Sequence, residues 1–297
     1  MVMNAERTLR VGGVDLLLRC DRSSPLDAML APWRGYRPED SDLAPHVIVE
    51  YQTIDGYMRE QPAQRSYPGF GCVAHSPQEP KASVEYELWR RDSRGTIEIP
   101  ADLAQPVVAR FEGNPGAFAI EASLRLAMSL AVPRLGGLVL HSAGVATGST
   151  SAGDSGARAL LFSGPSSSGK STMASLLADR FPCRLGDDLT IARPDPQTPG
   201  RWCVHATPFA GELGPAPDGH APLAALYFLV KSSRHFASPL PAHEVLRRLL
   251  RNVMAYVQER GAAERVLAAT ARFAAEIPCY VLEFAKDPGV ARVLGVT

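Results

Sequence analysis

The stretch Leu160 to Thr172, LLFSGPSSSGKST, constrains this chain more than any other. It matches G-x-x-x-x-G-K-[ST], with Gly164, Gly169, Lys170 and Ser171 at the fixed positions. The pattern needs a buried strand, a tight turn whose backbone N–H groups converge, and a helix opening at the lysine. Such a turn binds phosphate, because the N–H groups and the helix dipole both favour negative charge. In this motif the backbone of Gly164, Ser166, Ser167, Ser168, Gly169, Lys170, Ser171 and Thr172 is expected to cradle a nucleotide. Lys170 reaches the β- and γ-phosphates and the Ser171 hydroxyl sits on Mg²⁺. With glycine usage near 7%, a chance match in a chain of this length has a probability on the order of one per cent. Lys170 is also one of four lysines in an arginine-rich chain.

The flanking pattern gives an α/β chain with a P-loop catalytic part behind a smaller β-rich part. Residues 1–114 read as the β-rich unit. TLRVGGVDLLLRC is expected to turn at Gly12-Gly13, HVIVEYQ to form a strand, and SVEYELWR to alternate before a turn into GTIEIP. Proline-rich connections such as PWRGYRPEDSDLAP and RSYPGFG separate these pieces. Residues 115–297 read as the catalytic domain, a central mixed sheet with flanking helices. Ile120, Leu124, Met128 and Ala131 fall at helical spacing before Pro133, which predicts a helix joining the two halves. GGLVLHSAGVATG and ARALLFSG predict two strands around the Gly/Ser-rich loop TGSTSAGDSG. After the phosphate loop come a helix at about 171–179 and a strand at CRLGDDLTIA. RWCVHATPF and LAALYFLV then predict a strand pair. Leu246, Leu249, Leu250, Val253, Met254 and Val257 follow an amphipathic helical spacing. A second helix at about 262–275 and the strand CYVLEF complete the pattern, and no internal repeat is present.

Charge and cysteine usage narrow the partners. The 31 basic and 31 acidic residues balance, so neither nucleic acid nor an anionic membrane is an expected partner. The apolar run Leu223 to Val230 is far too short to span a bilayer. The first residues lack the apolar core of a secretory signal. Five cysteines, odd in number and without C-x-x-C spacing, argue against a disulfide framework or a zinc site. The expected setting is the reducing cytoplasm.

Residues outside the loop decide the chemistry. Asp187 and Asp188 follow Lys170 by one helix and a tight return, and the right-handed crossover rule predicts their strand beside the phosphate-loop strand. Successive strand side chains point to opposite faces, so both acids face inward only if the chain bends there. One then takes the proton of an attacking hydroxyl and the other holds Mg²⁺. The bland alternative is an exposed turn. His141, ending the apolar run LVLH, either is an ordinary satisfied polar residue or orients a carboxylate. His205 and Glu212 lie in the loop-rich VHATPFAGELG, where Glu212 is a further candidate metal ligand.

A strand ending in His, a hairpin, the phosphate loop, a short helix and Asp-Asp together resemble the catalytic domain of the HPr serine kinase/phosphorylase family, itself related to ATP-dependent phosphoenolpyruvate carboxykinases. The resemblance covers roughly 136–212. It implies an ATP- and Mg²⁺-dependent kinase in which Asp187 deprotonates the acceptor serine, His141 steadies the aspartate, Lys170 holds the phosphates, and Ser171, Asp188 and Glu212 serve the metal. Thr172 stands where bifunctional members usually carry glutamate, and their Arg-Gly signature is absent. The chain is thus closer to the HPr-kinase-like enzymes found with ribosomally made peptides, some of which phosphorylate a precursor-peptide serine. The implied partner is a protein or peptide bearing Ser or Thr. A small hydroxylated metabolite as acceptor, or a nucleotide-binding module without transfer, are the alternatives. A homo-oligomer, as in the hexameric bifunctional relatives, has no support in the sequence.

Overall fold

The computed structural model describes residues 5–21, 30, 33–36, 44–56, 71–75, 84–89, 93–113, 117–148, 156–255 and 260–295. Most of the proline-rich connections, the Gly/Ser-rich loop at 149–155, the turn at 90–92 and Val257 lie outside them. The chain is mixed α/β, with two mixed sheets and few helices. It divides into two compact units, one of Met1–Arg134 with Tyr256–Glu264 and one of Leu135–Ala255 with Arg265–Thr297.

The first unit is a seven-stranded sheet in the order β1-β2-β3-β7-β6-β5-β4. Its strands are β1 (Ala5–Val11), β2 (Val14–Cys20), β3 (Val47–Thr53), β4 (Gly71–His75), β5 (Val84–Trp89), β6 (Ser93–Ile99) and β7 (Val107–Gly113). The β1–β2 hairpin turns at Gly12 and Gly13, with φ of 60° and 69°. Two left-handed central residues match the strands' twist, and glycine adopts them at no steric cost. β3 runs parallel to both β2 and β7, which makes the sheet mixed. Helix α1 (Ala117–Arg134) packs on β7, β3, β2 and β6. The helix expected to join the halves therefore belongs to the first unit, and Leu126, Ala127, Met128, Leu130, Ala131 and Val132 are all buried there. That near-continuous burial is more than one helical face at the 3.6-residue period provides.

The second unit holds an eight-stranded mixed sheet. Its elements are β8 (Leu138–Ala146), β9 (Ala159–Ser163), α2 (Lys170–Leu176), β10 (Cys183–Gly186), β11 (Leu189–Pro194), β12 (Trp202–His205), β13 (His220–Lys231), β14 (Phe236–Pro239), α3 (Ala242–Leu249), α4 (Arg260–Glu276), whose first residues fall in the other unit, β15 (Cys279–Phe284) and α5 (Val290–Val293). Two long strands are each used twice. β8 pairs with β11 through Leu138–His141 and with β9 through Ser142–Ala146, while β13 pairs with β12 at its start and with β9 and β15 further on. β9, β13 and β15 run parallel, so their carboxyl ends, where open α/β sheets bind ligands, lie on one side. Met173, Ala174 and Leu177 of α2 and the following turn seat the helix on Val145, Leu160, Phe162 and Leu229.

Three expectations need correction. The strand carrying the aspartates is not beside β9: β10 and β11 pair with β8, one position away. β9 is already flanked by β8 and β13 and buried along its whole length, so the crossover through α2 passes over β8. His141 does not end its strand, because β8 continues to Ala146 and His141 sits where its partners change from β11 to β9. The helix expected to reach Val257 stops at Leu249. There Asn252 C=O accepts from His141 N–H (2.8 Å) and Met254 N–H donates to Val139 C=O (2.8 Å). Those bonds satisfy buried main-chain groups of β8 that a continued helix would leave unpaired. Among the described residues no helix is long and apolar enough to cross a membrane.

Candidate functional site

The phosphate-loop sequence leaves β9 at Gly164 and enters α2 at Lys170. Ser167 takes φ of 63°, a left-handed conformation that costs a non-glycine residue on the order of 1–2 kcal/mol. Such strain persists where the surroundings over-determine it, often at ligand clamps. Gly169 has φ of 104°, and a Cβ on it would stand 2.7 Å from the Phe284 ring, so conformation and space both demand glycine. Ser168 N–H donates to Pro165 C=O (3.2 Å), and the helical ladder begins with Met173 N–H to Gly169 C=O (2.8 Å). The N–H groups ahead of Met173 have no partner inside the helix and face its open end.

Lys170 is 7% exposed, and its ammonium donates to the carbonyls of Gly164 and Pro165, each at 3.1 Å. Burial lowers its pKa, while the charges of Asp188 and Glu212 raise it. The lysine thus ties the ends of the loop together and feels two carboxylates.

Of the expected residues, His141, Ser166, Ser167, Gly169, Lys170, Ser171, Thr172, Asp187, Asp188 and Glu212 line one cavity of about 350 Å³. Gly164 and Ser168 do not. The Ser168 hydroxyl is turned in under the loop, 2.7 Å from where a Cβ on Gly164 would lie, and has no hydrogen-bond partner among the described residues. His205 is elsewhere, on β12, stacked on His220 of β13 with ring centroids 5.1 Å apart. Desolvation first, then the neighbouring His220, pushes its pKa down to about 3.

The two aspartates occupy the break between β10 and β11, where the chain stays alongside β8: Gly186 pairs with Gly144, Leu189 with His141, and Ser142 N–H donates to Asp188 C=O (3.1 Å). Their environments differ sharply. The Asp187 side chain is fully enclosed, with Oδ2 accepting from Leu213 N–H (2.8 Å) and Oδ1 facing Arg184 at 3.4 Å. Arg184 also donates to Gly214 C=O (2.6 Å) and Pro215 C=O (2.9 Å). The turn Gly211–Gly214 lies directly on this carboxylate, since a Cβ on Gly211 would meet Asp187 Oδ1 at 2.5 Å. Asp187, 3% exposed as a residue, therefore offers main chain to the cavity wall. The Asp188 side chain is 30% exposed, and His141 Nε2 lies 3.4 Å from its Oδ1. Beneath them, Ser163 Oγ donates to His141 C=O (3.2 Å), and the hydroxyls of Ser142 and Thr190 share a 2.6 Å hydrogen bond. These bonds fix β8 against β9 and β11 at the point where His141 and Asp188 project.

No three His, Cys, Asp or Glu side chains converge on a metal-sized position among the described residues. A donor set of the Asp188 and Glu212 carboxylates with the Ser171 hydroxyl still fits Mg²⁺. That ion takes hard oxygen ligands, keeps several waters, and is usually held by one or two carboxylates plus substrate phosphates.

Sequence reasoning missed Lys231, Arg184 and the Gly211–Gly214 turn. For Lys231 a signal existed, a lysine directly after the apolar run of β13, on the side where parallel strands end. For Arg184 the local neighbour Asp187 is only one partner, and the carbonyls of Gly214 and Pro215 that complete its setting lie 30 and 31 positions on. No family model matches the sequence, and no curated protein matches it.

Proposed function

We propose that this chain is an ATP- and Mg²⁺-dependent kinase of the HPr-serine-kinase type, moving the γ-phosphoryl group to a serine or threonine hydroxyl of a protein or precursor peptide. One observation carries the reading. The phosphate-loop residues and the Asp188 and Glu212 carboxylates, remote in sequence, line the same cavity, with Asp187 enclosed directly behind its wall. A cradle alone needs no carboxylate facing it, and a transferase does.

The chain's residues divide the work. The N–H groups of the loop and Lys170 hold the phosphates in line with the acceptor, a gain of position rather than covalent chemistry. Asp188, Glu212 and Ser171 would hold a divalent cation, which when bound neutralises charge on the phosphate oxygens. Asp187 takes the hydroxyl proton in this scheme, and Leu213 N–H must then leave Oδ2, so lifting the Gly211–Gly214 turn admits the acceptor. His141 holds Asp188 in place from the strand beneath.

The enclosure of Asp187 also favours a second reading, a nucleotide-binding module whose turn stays shut. Incubation with γ-labelled ATP, Mg²⁺ and a Ser-bearing peptide co-expressed from a neighbouring gene separates the two. Label on peptide serine supports the kinase. Label on a small molecule redirects it to a metabolite, and intact ATP after prolonged incubation leaves the module.

A further inference from the structure

Lys231 has no role in the scheme above, yet it lines the same cavity. It is exposed at the end of β13 and makes no ion pair with the described residues. Its position follows from three independent registers. Leu229, two residues earlier, is buried in the core beneath α2, and side chains two apart on a strand share a face, so Lys231 leaves that core on the side of the phosphate loop. The Leu229 carbonyl lies 3.8 Å from where a Cβ on Gly164 would be, which puts this strand directly under the start of the loop. Lys231 also pairs in register with Phe284, whose ring underlies Gly169 at the loop's end.

The order of strands gives the side. The loop rises from β9; Asp188 and His141 come from β8 and the β10–β11 break on one flank, and Lys231 comes from β13 on the other. In an in-line transfer the carboxylates mark the acceptor end, and the leaving diphosphate lies across the transferred group from them. We propose that Lys231 is a donor-side phosphate ligand, contacting the α- or β-phosphate of the bound nucleotide. This rests on the kinase reading for the orientation of the nucleotide. Lys170, held by loop carbonyls, and Lys231, free of ion pairs with described residues, then grip the diphosphate from opposite walls.

The test compares wild type with Lys231→Ala and Lys231→Arg, titrating ADP and ATP with Mg²⁺ by calorimetry and measuring transfer kinetics. A charge-assisted hydrogen bond to phosphate predicts that the Ala variant binds ADP and ATP alike about tenfold or more weakly, with the acceptor KM unchanged. The Arg variant, which keeps the charge, should restore most of the affinity. Unchanged nucleotide affinity in the Ala variant, or a rise confined to the acceptor KM, overturns the assignment and leaves the kinase reading standing. Weakened nucleotide binding without phosphoryl transfer by wild type keeps Lys231 as a nucleotide ligand and removes the kinase. Wild type that binds neither nucleotide removes both.

Discussion

One face of the first sheet and the cavity of the second unit hold their charges differently. Across the outer face of the first sheet, Glu6, Arg19, Glu50, Arg110 and Glu98 form an alternating ladder over β1, β2, β3, β7 and β6, with contacts of 2.8, 3.4, 3.1 and 3.7 Å. Each charge there meets an opposite one on the neighbouring strand, which helps fix register. In the second unit, the ammonium of Lys170 is spent on carbonyls, Lys231 has no ion pair with described residues, and Asp188 faces a histidine. The face charges of the first sheet compensate one another from strand to strand, whereas the charges at the cavity meet main-chain carbonyls and a histidine.

The largest effect expected from breaking that contrast is at Lys170. Lys170→Ala should abolish transfer and nucleotide binding together, read by calorimetry and by label on the acceptor. Asp187→Asn comes next: nucleotide affinity stays while transfer falls about a hundredfold to ten-thousandfold, the usual loss for a positioned base. Intact transfer by this variant would give the proton to Asp188, the carboxylate that the cavity reaches, and Asp188→Asn would then carry the loss.

Acid sharpens the comparison through His205 and His220, whose pKa values burial lowers. An unfolded histidine takes a proton below about pH 6.5. His205 stays neutral in the fold down to about pH 3, so the unfolded state binds more protons in that window and stability falls as pH drops through it. Asp195, held low mainly by the Gln197 N–H, and Glu276, held low mainly by the Trp202 indole N–H, add to the loss at more acid pH, since their stabilising contacts vanish on protonation. Urea midpoints at pH 7, 5.5 and 4.5 should decline, and less steeply in His205→Gln; a flat wild-type profile would show that the pair ionises in the fold. The smallest effect is in the ladder. Glu50→Ala should cost about 1 kcal/mol at low salt and less at high salt, because exposed pairs are weak and screened.

Much of this was readable in the chain. Gly12-Gly13 announced their hairpin, Cys279–Phe284 lay where its apolar run put it, and ten of the expected site residues meet at one cavity. By contrast, β12 pairs with His220, Ala221 and Pro222, and the apolar run after them pairs with β9 and β15 instead. The misses share a cause. Leu246 to Met254 carry a helical spacing, yet Asn252–Met254 leave the helix because β8 has main-chain groups to satisfy. His141 looked terminal because its local apolar run stops there, although β8 gains a new partner and goes on.

The amino-acid order alone determined the phosphate loop and the acidic pair, because glycines at fixed offsets and a lysine at the helix start are local requirements of backbone conformation and reach. Only the tertiary structure decided that Asp187 lies sealed under the Gly211–Gly214 turn, that Asp188 opens toward His141, and that Lys231 stands across the loop from both. Those outcomes depend on which strands share β8, β9 and β13, and strand partnership is settled by burial and hydrogen-bond satisfaction over long sequence separations, which no local spacing encodes.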